Sequence, residues 1–120
     1  MQIEFSSKDL FTWLESQGNS SYDELPFGVV KMDKNSTVIY YNNQESRITG
    51  VNPEMAKGKN FFVQIAPCTN NFMVAEKYKL AELDEELDYL FTYVTTPTKV
   101  RLRLLKSAAH LHQYMVVHKY

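Results

Sequence analysis

The sequence of 120 residues has little of several features, and each shortage excludes a class of protein. The net charge is −1 and no long run of one sign occurs, which argues against a nucleic-acid interface or a basic membrane-binding patch. The longest apolar runs are far too short to cross a bilayer. The N-terminus lacks the basic region followed by an apolar segment that marks a signal peptide. We therefore expect a cytoplasmic protein with no nucleic-acid or membrane partner.

Cysteine is also scarce, since Cys68 is the only one in the chain. It cannot form an internal disulfide, and a single thiol without an export signal fits a reducing compartment. A free cysteine is most often a small, inert core side chain. Here it comes after Pro67 and before three residues that commonly begin helices, Thr69, Asn70 and Asn71. Because the mouth of a helix favours a thiolate, the position allows either a core side chain or a point of covalent attachment.

Hydrophobic residues make up 44% and charged residues 22% of the chain, a balance typical of one globular domain with a modest core. Residues 1–24 predict a helical cap, because apolar residues recur at helical spacing from Leu10 to Leu14 and Ser6 or Ser7 can begin the helix. A helical segment this short is not stable alone and must pack against the rest of the domain, which makes it a candidate for local unfolding.

The remaining residues, 25–120, form the core of the domain, and their order of patterns predicts an α+β fold. Alternation and turn residues predict five strands, at 27–32, 37–41, 87–95, 98–107 and 112–119. Three short helices capped by asparagine are predicted between the second and third strands, followed by a long helix from Asn70 or Asn71 to Leu83 and a charged turn at 84–86. The expected architecture is a five-stranded antiparallel sheet with helices on one face.

Three polar side chains, Tyr41, Glu45 and Thr49, follow one another at i, i+4 and i+8. If the chain is helical from Asn42, these positions fall within roughly 80° of one another, together with apolar Ile48. On an inward face Glu45 would tend to stay protonated, because an ionised carboxylate is costly to bury. A neutral Glu45 and Tyr41 could then both donate hydrogen bonds to one anionic oxygen. Alternatively, Glu45 is a solvated helix residue and Tyr41 packs at the end of a strand.

Other chemistries have weaker support in the sequence. His110, His112 and His118 lack the accompanying cysteine or carboxylate ligands of a metal site, so we expect surface histidines and no metal. No Gly-rich phosphate loop follows a strand. A thiol hydrolase would need a base and an oxyanion hole beside Cys68, and the sequence fixes neither, so we assign no catalytic residue.

Several short motifs stand in one order along the chain: Phe27-Gly28, Tyr41-Asn42, Glu45, Ile48-Thr49-Gly50, Gly58-Lys59-Asn60-Phe61-Phe62, Ala66-Pro67-Cys68-Thr69 and Thr96-Pro97-Thr98-Lys99-Val100. In this order they resemble the photoactive yellow protein family, light sensors with a PAS-type fold. The resemblance covers nearly the whole chain from Leu25 onward and is weak before it. It implies a PAS-like domain preceded by a divergent N-terminal cap.

The resemblance also implies a cofactor, 4-hydroxycinnamic (p-coumaric) acid, attached to Cys68 as a thioester. Tyr41 and Glu45 would hydrogen-bond its phenolate oxygen, and Thr49 would bond to Tyr41. The backbone N–H of Cys68 would hold the thioester carbonyl, and three aromatic side chains would help to enclose the ring: Phe62, Phe91 and Tyr93. Blue light would isomerise the vinyl bond from trans to cis, Glu45 would pass on its proton, and the cap would open.

Two further positions of the same pocket depart from the family's usual pattern. Val51 stands where the family usually has an arginine that closes the pocket over the phenol ring, so we expect a more open pocket. Thr95 stands where the family usually has a methionine associated with return to the dark state, so we expect slow thermal recovery. The connection between Cys68 and Tyr89 is a few residues shorter than in the best-known members.

The sequence therefore predicts a blue-light photoreceptor that acts in sensory transduction and is not an enzyme. Its partner would be an unidentified downstream signalling protein, and the chain itself a monomer or weak dimer. Two alternatives stay open. One is a PAS-like module that binds another ligand or a protein, and the other is a cysteine-dependent acyl-transfer enzyme in which Cys68 turns over an acyl group.

Overall fold

The computed structural model describes residues 3–94 and 96–120, and its centre is a five-stranded antiparallel sheet in the order β2-β1-β5-β4-β3. The strands are β1 (Gly28–Asp33), β2 (Val38–Tyr41), β3 (Glu82–Phe91), β4 (Thr98–Ser107) and β5 (His112–Lys119). The turn at residues 33–36 joins β1 and β2 into the predicted hairpin. The predicted α+β architecture with a five-stranded antiparallel sheet is confirmed.

The helical segments are short, and most lie between β2 and β3. They are α1 (Leu10–Ser16), a 3₁₀ turn (Asn19–Glu24), α2 (Asn43–Thr49), α3 (Pro53–Ala56), a π turn (Phe61–Ile65) and two 3₁₀ turns (Pro67–Thr69 and Ala75–Lys79). None of the helices within residues 3–94 and 96–120 is long and apolar enough to cross a membrane.

Asparagine begins three of these segments, as the sequence predicted. The side chains of Asn42, Asn52 and Asn60 accept hydrogen bonds from backbone N–H groups in the first turn that follows each of them. Such a side-chain oxygen satisfies a donor that has no partner within the helix. At the other end of α2, Gly50 adopts the left-handed conformation with φ of 79°, which ends the helix at little cost for a residue without a Cβ.

The predicted long helix from Asn70 or Asn71 to Leu83 is wrong. Residues 70–81 form irregular turns around one short 3₁₀ turn, and Phe72 and Leu80, expected on the buried face, are 77% and 51% exposed. The predicted charged turn at 84–86 lies instead in the middle of β3.

The sequence of β3 explains both errors. Its apolar positions, Leu83, Leu87, Tyr89 and Phe91, recur with a period of two and all face the same core. The acidic residues between them pair with β4: Arg103 Nε lies 2.9 Å from Asp84 Oδ1, and Arg101 Nε lies 3.1 Å from Glu86 Oε1. Charged side chains along an edge strand are compatible with a strand when the neighbouring strand supplies the opposite charge.

The sheet separates two hydrophobic cores. The helix-side core packs α2, α3 and the following turns against one face, and its buried members include Val30, Tyr41, Ile48, Phe61, Phe62, Phe91, Leu102, Leu104 and Met115. The cap-side core packs the N-terminal segment against the other face and consists of Ile3, Leu10, Leu14, Tyr22, Leu25, Phe27, Val29, Leu105, Tyr114 and Val116. Neighbouring residues of one strand serve opposite cores, because side chains alternate along a strand.

Polar contacts hold the cap to the sheet. Arg103, only 4% exposed, donates from Nη1 to the carbonyls of Phe5 (2.8 Å) and Ser7 (2.6 Å). Glu15 of α1 accepts a hydrogen bond of 2.5 Å from the hydroxyl of Tyr114 on β5. The sequence suggested Ser6 or Ser7 as the N-cap of α1, and neither residue takes that position. Its N-cap is Asp9, which makes no side-chain capping bond.

The division of the chain into a cap of residues 1–24 and a core of residues 25–120 stays a prediction.

Candidate functional site

The side chain of Glu45 is completely buried, and neither carboxyl oxygen has a hydrogen-bond partner within the described part of the chain. Burial alone raises its pKa from 4.5 to about 8, because an ionised carboxylate would lose its hydration without gaining a partner. At neutral pH Glu45 is therefore mainly a neutral acid with one unused O–H donor. The inward-facing alternative of the sequence analysis is the one found, and the solvated one is wrong.

Gly28 makes room for this carboxyl group. A Cβ atom at Gly28 would lie 2.1 Å from Glu45 Oε1, a distance at which the carboxyl would have to move. The residue is the first of β1, so the sheet backbone itself forms one wall beside the acid. Sequence reasoning noted Gly28 within a motif but assigned it no role, because only the crossing of α2 over β1 brings the two together.

Asn42 connects the helix that carries Glu45 to the cap. Its buried side-chain oxygen accepts from the N–H groups of Val29 (2.9 Å) and Glu45 (3.0 Å). Its amide nitrogen donates to the carbonyls of Tyr22 (2.8 Å) and Phe27 (3.1 Å). One side chain thus joins β1, α2 and the end of the N-terminal segment. The sequence predicted its capping role but not the contacts to residues 22 and 27.

Tyr41 and Thr49 form a hydrogen-bonded pair beside Glu45. The two hydroxyl oxygens are 2.6 Å apart and buried. Thr49 Oγ1 also lies 3.0 Å from the Glu45 carbonyl oxygen, so its single proton can serve either neighbour. Tyr41 can therefore turn its own proton toward a ligand while accepting from Thr49. Tyr41 ends β2 and is not part of the helix, so the pair forms at a strand-to-helix turn rather than on the single helix face that we considered.

The hydroxyl of Tyr93 is, after the carboxyl of Glu45, the second buried group of this site without a hydrogen-bond partner among the described residues. Burial, then the nearby Glu45 and Tyr41, raise its pKa far above the ordinary value for tyrosine. The pKa of Tyr41 is raised by burial first and by Glu45 second. All three groups are thus uncharged near neutral pH. A single anionic oxygen placed among them could accept hydrogen bonds from all three, and it would supply the acceptor that Glu45 and Tyr93 lack among the described residues.

Cys68 lies in the 3₁₀ turn Pro67–Thr69, where it is partly buried against the helix-side core. No helix follows this turn, so the expectation of a thiol at a helix mouth is wrong. The carbonyl oxygen of Cys68 accepts hydrogen bonds from the Tyr89 hydroxyl (2.5 Å) and from the Asn71 side-chain amide (3.1 Å). Neither residue was singled out as a site residue from the sequence.

The structure gathers most residues of the predicted pocket in or beside the helix-side core. Tyr41, Phe62 and Phe91 are buried members of it, and Val51, Cys68 and Tyr93 pack against it. The Phe91 and Tyr93 rings meet edge to face with centroids 5.1 Å apart. Glu45 and Thr49 are buried beside them, and Thr95 lies outside the described residues. The roles assigned to these residues stay predictions.

Val51 borders a surface cleft of about 380 Å³, lined also by Gly50, Asn52, Met55, Lys59, Gln64 and Ile65. Arg47, the nearest arginine in sequence, does not take the place of the missing one, since it pairs with Gln44 on the exposed side of α2. The Val51 N–H lies 3.2 Å from Thr49 Oγ1, so the edge of this cleft is adjacent to the Tyr41–Thr49 pair.

Known proteins resemble this chain in sequence and in fold. No protein-family model matches the sequence. Photoactive yellow protein from Rhodothalassium salexigens is 31% identical over 109 residues, which span 88% of this chain and 87% of that protein. The chain belongs to the photoactive yellow protein family.

Solved structures extend the comparison to the fold. The photoactive yellow protein domain of the sensor histidine kinase Ppr from Rhodospirillum centenum has a TM-score of 0.81 and 28% identity, over 90% of this chain and 98% of that domain. A PAS domain from Colwellia psychrerythraea has a TM-score of 0.64 at 12% identity, over 93% of this chain and 98% of that one, and shows the fold alone. The photoactive yellow protein family is thus a family of PAS-type photoreceptors rather than enzymes.

The burial of Glu45 predicts that the chromophore-free protein loses stability as pH rises. Between pH 4.5 and about 8 the unfolded chain has released the Glu45 proton while the folded protein keeps it. The free energy of unfolding should therefore fall across this range by several kcal/mol. Urea unfolding at a series of pH values measures the slope. Glu45→Gln should flatten it and exposed Glu54→Gln should not; equal slopes in both variants would contradict a neutral Glu45.

Gly28→Ala should destabilise the protein by about 1–3 kcal/mol, because the new methyl group collides with the Glu45 carboxyl. The loss should be smaller in a Glu45→Ala background, where most of the colliding group is gone, and a double-mutant cycle measures the difference. Gly18→Ala is the matched control, since nothing lies within 4 Å of a Cβ there. Strict additivity of the Gly28 and Glu45 changes would show that the two do not meet.

Proposed function

We propose that this chain is a blue-light photoreceptor that carries 4-hydroxycinnamic acid as a thioester on Cys68. The observation that carries the proposal is the buried, unpartnered carboxyl of Glu45, accompanied by the unpartnered hydroxyl of Tyr93. Buried polar groups without a hydrogen bond are rare and costly in folded proteins, so their presence indicates that a bound ligand completes the hydrogen bonding. A ligand with an anionic phenolate oxygen at one end supplies that partner.

The residues present fit such a group at both ends. At the phenol end, Glu45 and Tyr41 each offer a proton, and short charge-assisted hydrogen bonds hold a phenolate ionised in a buried site. At the other end, Cys68 is the chain's only thiol, and its backbone N–H would hold the thioester carbonyl. Phe62, Phe91 and Tyr93 would enclose the ring between them.

Attachment requires an activated form of the acid. The Cys68 thiol gives up its proton, its sulfur forms a bond to the carbonyl carbon, and the bond from that carbon to the activating group breaks. The proton leaves with that group. No oxidant or reductant takes part.

When bound, the group supplies absorption of blue light and a vinyl bond that light isomerises from trans to cis. Glu45 then releases its carboxyl proton toward the phenolate oxygen and becomes an ionised, buried side chain without a partner. Such a charge costs several kcal/mol, a large share of the roughly 5–15 kcal/mol by which a domain of this kind is stable. Asn42 bonds both the Glu45 N–H and the Tyr22 carbonyl, so strain at α2 reaches the N-terminal segment directly.

The signalling state is an opening of the N-terminal cap, which a downstream signalling protein would read. The cap contains only one seven-residue helix and one 3₁₀ turn and has a core of its own, so it can open while the helix-side core stays packed. Thermal return is slow, an expectation that rests on Thr95 in the sequence. The proposed receptor is a monomer or weak dimer. Its partner is a signalling protein, and it binds neither nucleic acid nor a membrane.

Reconstitution tests the chromophore. The purified protein treated with activated 4-hydroxycinnamic acid should turn yellow, gain the mass of one 4-hydroxycinnamoyl group and bleach under blue light. Cys68→Ser should stay colourless. An adduct that forms and then hydrolyses would favour an acyl-transfer enzyme, and no adduct at all would favour a PAS-like module for another ligand.

Replacing the proton donor tests the trigger. In the reconstituted protein, Glu45→Gln should stay coloured, because the amide still donates a hydrogen bond, but blue light should open the cap several-fold less. Trp13, the only tryptophan, lies in α1, so its fluorescence reports the cap, and protease sensitivity of the N-terminal segment confirms it. Glu54→Gln is the control. Opening of Glu45→Gln to the wild-type extent would exclude Glu45 as the trigger.

A further inference from the structure

The turn that carries Cys68 has little regular structure to hold it. It spans only Pro67–Thr69, and the residues on either side have irregular backbone angles, with φ and ψ of −128° and 67° at Ala66 and −84° and 71° at Asn70. Within the turn, the Thr69 hydroxyl donates to the Ala66 carbonyl at 2.7 Å. The direction in which the sulfur points therefore depends on what fixes the peptide group that follows it.

Asn71 fixes that peptide group with a fully used side-chain amide. Its nitrogen donates to the Cys68 carbonyl (3.1 Å) and to the Tyr89 hydroxyl (2.7 Å). Its oxygen accepts from the N–H groups of Met73 (2.9 Å) and Val74 (3.1 Å). The amide therefore uses both of its N–H donors and accepts two hydrogen bonds at its oxygen. Because two backbone N–H groups face one end of the amide, that end must be the oxygen and the other end the nitrogen.

Tyr89 completes the arrangement and connects it to the sheet. It belongs to β3, pairs with Val100 of β4, and donates its own proton to the Cys68 carbonyl at 2.5 Å. The Cys68 carbonyl thus receives two hydrogen bonds from a pair of side chains that also bond each other. The turn is fastened to a strand of the central sheet rather than to a flexible loop.

We propose that Asn71, acting with Tyr89, is a positioning residue that holds the Cys68 peptide group in place and so sets the direction of the sulfur. Resting on the proposed function, this makes the covalent end of the pocket the stationary end. When the bound group changes shape in light, the anchored end resists displacement, and the movement is passed to the phenol end, where Glu45 lies.

One substitution separates this role from the capping role of Asn71. In Asn71→Asp the side chain keeps both acceptors for Met73 and Val74 but loses both donors. The Tyr89 hydroxyl can then donate to the new carboxylate instead of to the Cys68 carbonyl, which is left without either bond. Asn70→Asp introduces the same charge one residue away at an exposed position and is the matched control. Tyr89→Phe removes one of the two donors without any change of charge.

The single cysteine allows a direct measurement on the chromophore-free protein. Cysteine labelled with ¹³C at its carbonyl carbon marks one peptide group in the whole chain, and infrared spectroscopy then isolates its stretching band. Hydrogen bonds to a carbonyl lower this frequency. The band should shift to higher frequency in Tyr89→Phe and further in Asn71→Asp, and should not move in Asn70→Asp. An unchanged band in Asn71→Asp would overturn the proposal. If that variant fails to fold, an unchanged band in Tyr89→Phe would overturn it.

The reconstituted protein tests the consequence for attachment and for light. Attachment of activated 4-hydroxycinnamic acid should be about fivefold slower in Tyr89→Phe, the factor expected for one ordinary hydrogen bond, and slower still in Asn71→Asp, which loses both. Under blue light the labelled band should stay in place in the wild type and move in Asn71→Asp, with less change in Trp13 fluorescence. A wild-type band that moves as far as the variant's would overturn the stationary end. Failure of every variant and the wild type to form an adduct would instead count against the proposed function, and the chromophore-free measurement would still decide the role of Asn71.

Discussion

A carboxyl group buried without a partner is the constraint on which the rest of this structure depends. Among the described residues nothing hydrogen-bonds the Glu45 carboxyl group, and its burial favours the protonated form. The fold accommodates it through a missing Cβ at Gly28 and through a helix whose N-terminus is fixed by Asn42. Tyr41 and Tyr93 are likewise held neutral, and within the described residues the site has two donors, Glu45 and Tyr93, without an acceptor. Its chemistry follows from that imbalance, since adding a negative ligand stabilises the site and leaving a negative charge on Glu45 destabilises it.

The central sheet connects the site around Glu45 to the N-terminal segment on its other face. It is the shared wall of two cores, with the donors on one face and the N-terminal segment on the other. Asn42 reaches across the edge of that wall and bonds to elements of both sides. Within the proposed function, one end of the pocket is tied to β3 through Tyr89 and Asn71, whereas the other ends at the proton of Glu45. Within that proposal, a change of shape between an anchored end and a protonated end is relieved on the cap side, which has a separate core and can open without disrupting the helix-side core.

Much of the fold could be predicted from the sequence where the signals are local. The three asparagine caps, the glycine that ends α2 and the hairpin of β1 and β2 depend on residues within a few positions of each other, and the structure has all of them. The prediction for the segment from Asn70 to Glu86 was wrong because two periodicities compete there. Apolar residues at helical spacing favoured a helix, whereas the alternation through Leu87 and Tyr89 and the arginines of β4 make residues 82–91 a strand. The arginines lie 15 to 19 positions away from their partners, beyond the reach of any local pattern.

For the candidate site, the sequence by itself determined the chemical types and their order: one thiol, one glutamate spaced four residues from a tyrosine and four from a threonine, and motifs in the order of the photoactive yellow protein family. Only the tertiary structure decided that the glutamate is buried without a hydrogen-bond partner among the described residues, that Gly28 leaves space for it, and that Asn71 and Tyr89 bond to the cysteine's carbonyl. The reason is physical. Residue type determines which hydrogen bonds a side chain can donate or accept. Whether a partner lies within about 3 Å depends on how β1, α2, β3 and the cysteine turn are placed in space. That placement is set by the packing of the whole core.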